Sequence, residues 1–232
     1  AYDMKDGTPF VWNNQSNPYD NRDPRMKYTI VCNEMKWPVD PVEIWEGGTN
    51  GLPLQNATTT GYYLKKYVNN TISFEAGSTV TKKQHNWVLF RYGEILLNYA
   101  EAMINAFHDP NYKDAVYNMS AREAVNQIRG RTNISLPGFP SDITEKDFVK
   151  RLKNERRVEL AFEGHRFWDV RRWKELGQTA NIYGVKITKN NEVISYEKFL
   201  LETRAVTDNM YFYPIPNTER FKNPNLGQNP GW

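Results

Sequence analysis

Between Ile143 and Trp173 the sequence ITEKDFVKRLKNERRVELAFEGHRFWDVRRW places carboxylates and guanidiniums at helical spacing. Glu155, Glu159 and Glu163 are four residues apart, so a helix stacks them on one side, where they repel unless neutralised. Arg156, Arg157 and Arg166 lie close along the chain, and Asp169 has Arg166 and Arg172 each three residues away. These types and spacings predict an interleaved lattice of Glu155, Arg156, Arg157, Glu159, Glu163, Arg166, Asp169 and Arg172 that holds the fold together. The catalytic alternative is glycoside hydrolysis, which needs two acids facing each other across a sugar at roughly 5–10 Å. One of them must keep its proton near neutral pH, whereas neighbouring arginines lower a carboxyl pKa. No catalytic residue is therefore assigned.

A second chemistry is suggested by large rings among turn-forming residues. Trp12, Trp37 and Trp45 stand in FVWNNQSNPYD, MKWPVDP and EIWEGGTNG. A sugar ring offers an apolar C–H face that stacks on an exposed indole, while nearby amides and carboxylates bond its hydroxyls. Trp12 is the first candidate for ligand binding, with Asn14 and Tyr19 next and Trp37 and Trp45 behind them. The competing reading is that these rings pin a long loop onto a helical body. His85, His108 and His165 are far apart and form no metal-binding pair, and no metal or cofactor is expected. The single cysteine, Cys32, sits in the apolar run TIVC and reads as a small buried side chain.

The elements that must position these groups are mostly helical. Thr144 is a helix cap for the carboxylate segment, with Asp147 reaching back and Ile143 packing on Phe148, and Gly164 ends or bends that helix before His165. Trp87 to Phe107 carries a broad apolar side closed by Asp109 and Pro110. Ser120 and Glu123 then make a capping box for a partner helix buried through Ala121, Ala124, Val125 and Ile128. The pair resembles a tetratricopeptide unit, which buries its faces only by stacking on others. Residues 1–84 read as loop with short strands, one at Met26–Cys32 and one near Tyr62 to Val68. After Gly177, the segments YGVKIT, EVISY and MYFYPIP have strand character, and the Pro-, Asn- and Gly-rich tail from Pro214 to Trp232 reads as ordered loop anchored by Trp232.

Composition narrows the classes. The chain has 232 residues, 30 basic and 27 acidic in mixed order, so its net charge of +3 offers no basic block for nucleic acid. A mean hydropathy of −0.75 argues against a membrane-spanning protein. Aromatic residues make up 14%, more than a polar chain needs for its core alone. Walker loops, G-x-G-x-x-G and nucleophile elbows are missing.

ERRVELAFEGHRFWDVRRW resembles the C-terminal signature of the SusD/RagB family of outer-membrane nutrient-binding lipoproteins. NRDPRMKYTIV, GYYLKKYV, NWVLFRYGEILLNYAEA, AVNQIRGRT and YPIPNTERFKNPNLGQNPGW resemble its other landmarks, in its order. The resemblance implies a mainly α fold, an α-α superhelix with tetratricopeptide-like helix hairpins, long loops and a few short β-strands. The whole of 1–232 would be the family's C-terminal region: 1–84 loop-rich, 85–133 a helix pair, 143–176 the Arg/Glu-rich signature and 177–232 short strands and tail. Ala1 to Trp12 shows no signal peptide or lipidation signal, so the chain is expected to be the C-terminal portion of a larger lipoprotein. The implied function is binding without turnover: a cell-surface protein that takes glycan, either oligosaccharide or polysaccharide, and hands it to a SusC-like TonB-dependent transporter. The implied membrane attachment is a lipid anchor outside this sequence. A helical-repeat scaffold for protein or peptide and, behind it, a glycoside hydrolase are the alternatives.

Overall fold

The computed structural model describes residues 1–14, 17–72, 79 and 81–232. In chain order the elements are α1 (Met26–Thr29), β1 (Ile30–Val31), β2 (Tyr63–Leu64), α2 (Tyr92–Phe107), α3 (Ala121–Arg129), α4 (Glu145–Glu159), α5 (His165–Arg172), β3 (Asn181–Asn190), β4 (Val193–Thr203) and α6 (Asn217–Lys222). Helices outweigh strands, and among the described residues no sheet closes on itself.

Helix α2 starts at Tyr92, later than its apolar pattern, and leaves Trp87 to Phe90 outside it and exposed. It ends on His108, whose φ of 57° is left-handed, just before Asp109 and Pro110. The Ser120 hydroxyl accepts from the Glu123 N–H and the Glu123 carboxylate from the Ser120 N–H, so α3 begins with a complete capping box. At the start of α4 the Thr144 hydroxyl accepts from the Asp147 N–H at 3.2 Å, but the Asp147 carboxylate takes the Thr144 hydroxyl proton instead of the backbone N–H. Gly164, at φ 82°, separates α4 from α5.

Helices α2, α3 and α4 pack on one another through Leu97, Ala100, Ile104, Ala124, Val125, Ile128, Phe148 and Leu152, each at most 2% exposed. The alanines remove bulk where helix backbones approach, and each large side chain buried this way contributes about 1.5–3 kcal/mol.

A smaller apolar cluster lies under the β3–β4 hairpin. Val185, Ile187 and Tyr196 cover Val31, Val42 and Ile44 of the first segment. Strand β1 pairs antiparallel with β2, Ile30 opposite Leu64 and Val31 opposite Tyr63. Gly61 sits against β3 at φ 78°, where an added Cβ would lie 2.4 Å from the Val185 carbonyl oxygen. Only a glycine suits that turn and that approach.

Three expectations are corrected. Met26 to Cys32 is not one strand: Asp23 accepts from the Arg25 N–H at 2.9 Å and the Thr29 hydroxyl bonds the Arg25 carbonyl at 2.6 Å, winding Met26–Thr29 into a helical turn. MYFYPIP is not a strand either, because Asp208–Tyr211 forms a short 3-10 turn. The tail does sustain a helix, α6, where Pro216 presets φ at −55° and Glu219 pairs with Lys222 at 2.8 Å. Of the polar stretch 69–83 read as loop, residues 73–78 and 80 lie outside the described residues.

Candidate functional site

The carboxylate side of α4 faces inward, and its neutralising charges come mainly from elsewhere in the chain. Glu155 is held by Arg25 and, at 2.8 Å, by Arg129; Glu159 by Arg25, Arg91 and Arg131 at 3.0, 2.7 and 2.9 Å. Glu163 takes Arg91 at 2.7 Å and Lys66 at 2.6 Å. Arg156 crosses to Asp169 at 2.9 Å, and Asp169 also binds Arg172, which reaches on to Glu101. Asp23 completes Arg25 at 2.7 Å. Burial pushes the Glu159 carboxyl up, but the Arg91 hydrogen bond and the charges of Arg131 and Arg25 outweigh it and hold the pKa at about 2. Glu163 is likewise lowered, its burial outweighed by Arg91 and Lys66. Carboxyls held low are the reverse of what a general acid requires.

Two expected members stand apart. Arg157 is exposed and makes no ion pair among the described residues, and Arg166 instead donates to Gln178 at 2.9 Å. Arg25, Arg91, Arg129 and Arg131 take the vacant roles, and no local spacing rule identifies partners so distant in sequence. Among the described residues no group of His, Cys, Asp and Glu is arranged to hold a metal. Cys32 is 1% exposed, and burial raises its thiol pKa to about 12.

The rings Trp12, Tyr19, Trp37 and Trp45 all come together, packed on the apolar cluster beneath β3 and β4. Lys65 lies 4.6 Å from the centre of the Trp37 ring and Lys189 4.7 Å from that of Trp45, so one face of each indole is already covered. Tyr19 stands edge-on to Tyr196 and Tyr62, and burial raises its phenol pKa. Trp12 is partly exposed and its indole N–H bonds Asn14. Asn14 in turn lines a recess of about 410 Å³ with Asn17, Glu34, Ser195 and Tyr196. There the Tyr196 hydroxyl donates to Glu34 at 3.3 Å. Amide, carboxylate and hydroxyl groups in one hollow supply both donors and acceptors, the complement of a polyol.

A second ring set escaped the sequence reading. Phe167 and Trp168 on α5 and Tyr213 before the tail lie within 6.2 Å of one another, centre to centre, and all are exposed. The available signal was their adjacency on a helix whose next residues, Asp169 and Val170, are buried: two successive rings cannot both follow them inward.

A sequence model of the SusD family matches residues 1–232. The SusD-like protein P2 of Formosa agariphila is 29% identical over 163 residues, which cover 68% of this chain and 28% of that protein. SusD-like protein P38 of the same organism is 37% identical over 150 residues, covering 62% of this chain and 24% of that one. The crystal structure of a SusD-like protein from Bacteroides fragilis superposes with a TM-score of 0.80 at 27% identity, over 100% of this chain and 45% of its own. The chain thus spans about a quarter of the curated relatives it matches and under half of the solved one.

Proposed function

Since the chain belongs to the SusD family, we propose that it captures oligosaccharide or polysaccharide at the cell surface and passes it, unaltered, to a SusC-like TonB-dependent outer-membrane transporter. The observation that carries the ligand class is the polar recess of Asn14, Asn17, Glu34, Ser195 and Tyr196 beside the partly exposed Trp12. Trp12 supplies a ring for the apolar face of a sugar, and Asn14 is the nearest hydroxyl partner. Tyr19, Trp37 and Trp45 act behind them, holding the wall in place. Binding through stacking and a few hydroxyl hydrogen bonds gives weak affinity per site. No step needs a proton donor, which agrees with carboxylates locked to arginines on α4. Attachment to the outer membrane is proposed to be through a lipid anchor lying outside these residues.

A glycan array on the full-length protein, with Trp12→Ala alongside, tests the reading. Retention of a glycan that the variant loses is expected. Failure to retain any glycan defeats the carbohydrate reading, and release of new reducing ends defeats the non-enzymatic one.

One observation favours a second reading. Trp87, Leu89, Phe90 and Tyr92 are 68–76% exposed, a patch suited to contact with protein, as in a helical-repeat scaffold. Under that reading the protein responds to a polypeptide and to no sugar.

A further inference from the structure

Beside α5 the chain folds a hollow of about 1090 Å³ between the helix and the last residues, of the size that takes an oligosaccharide. Trp168 and Tyr213 are 59% and 58% exposed, their ring centres 6.2 Å apart and inclined at 58°. The far wall is fixed, because the Trp232 indole N–H donates to the carbonyls of Asn209 and Phe212 at 3.0 and 3.1 Å. These rings are held in place yet open to solvent, unlike Trp37 and Trp45, whose faces carry lysines.

The charges here also differ from those of the lattice. Arg172 is taken up by Glu101 and Asp169. Arg171, in contrast, lies 3.5 Å over the Phe167 ring with one N–H bonded to the Phe167 carbonyl at 2.9 Å, and no carboxylate meets it among the described residues. Stacking occupies one face of the guanidinium and none of its in-plane donors, so those beyond the Phe167 bond can serve a ligand. Lys174, exposed at φ 55° directly after the helix, has no ion pair among the described residues either. Asp208 is the lone acid in the lining. Arg171 and Lys174 thus stand as two cations without an ion pair among the described residues, beside two bare rings, and together they define a ligand with an apolar face and negative charge.

We propose that this hollow is a second saccharide site, separate from the Trp12 recess and selective for a sugar carrying carboxylate or sulfate. Trp168 and Tyr213 stack the ring, while Arg171 and Lys174 hold the anionic group. The proposal rests on the glycan reading for its ligand class but on different residues.

The test is titration of the full-length protein with a uronate oligosaccharide, a sulfated oligosaccharide and a neutral counterpart of equal length, read by calorimetry. At least one anionic sugar binds about tenfold tighter than the neutral one, and that advantage shrinks with added salt. Arg171→Gln combined with Lys174→Gln removes the advantage while neutral-glycan binding persists. Trp168→Ala abolishes anionic binding with the melting temperature unchanged. Equal affinity for charged and neutral sugars, or anionic binding insensitive to these variants, overturns the second site alone. A fall in melting temperature on Trp168→Ala with anionic binding intact also overturns it, by assigning the ring to internal packing. Absence of binding to any sugar overturns both this site and the glycan reading beneath it.

Discussion

Glu159 shows how a buried charge is kept. Three guanidiniums meet one carboxylate that is 6% exposed. Removing it takes from Arg131 its ion pair and from Arg25 and Arg91 one buried partner each, although Asp23, Glu155 and Glu163 still hold those two. Glu159→Gln is therefore expected to destabilise the full-length protein by about 3–5 kcal/mol, measured by urea denaturation. Its pKa of about 2, against an ordinary 4.5, fixes the pH dependence. The folded form holds this proton less readily than the unfolded one, so the stabilisation is complete above pH 4.5 and fades as the pH falls toward 2. Roughly 3 kcal/mol should disappear over that window and be missing from the Glu159→Gln variant. Arg157→Gln, at an exposed residue outside the lattice, should change stability by less than about 0.5 kcal/mol. The acids of α4 were readable from their spacing, which states that a charge must be met. It does not state by whom: Arg25 is 130 residues from Glu155, and only the folded chain brings them together.

At the scale of elements, local chemistry was most legible where it is self-contained. The Ser120 and Glu123 capping box, the Gly164 break and the strand character of YGVKIT and EVISY follow from neighbouring residues alone, and the structure contains each. Ser120→Ala should cost about 1 kcal/mol. Where side-chain bonds to the backbone compete with strand propensity, the reading failed. MKYTIVC has the composition of a strand, but Asp23, Arg25 and Thr29 turn its first half into helix. Trp87 to Phe90 continue the apolar pattern of α2 without joining it. Gly61 couples two such segments, since its backbone presses on Val185 of β3. Gly61→Ala should cost more than about 2 kcal/mol, through the left-handed φ and the close carbonyl, and should increase hydrogen exchange in both β2 and β3.

Across the molecule the described residues form two apolar clusters, one between α2, α3 and α4 and one beneath the hairpin, with the aromatic candidates on the second. The tryptophan-rich loops suggested the ligand class proposed above, but the exposure of each ring was not legible in them, because burial depends on which face a loop turns to the hairpin. The patch of Trp87, Leu89, Phe90 and Tyr92 should bind a hydrophobic dye, read by fluorescence on the 232 residues alone. One feature joins both halves of this architecture. Arg25 belongs to the first, loop-rich part, yet its guanidinium is clamped by two acids of α4, and Lys66 does the same with Glu163. The loop-rich part is thus riveted to the helices at Arg25 and Lys66, not draped over them. Limited trypsin digestion should release no surviving helical fragment, and calorimetry should record one melting peak in which loop, hairpin and helices come apart together.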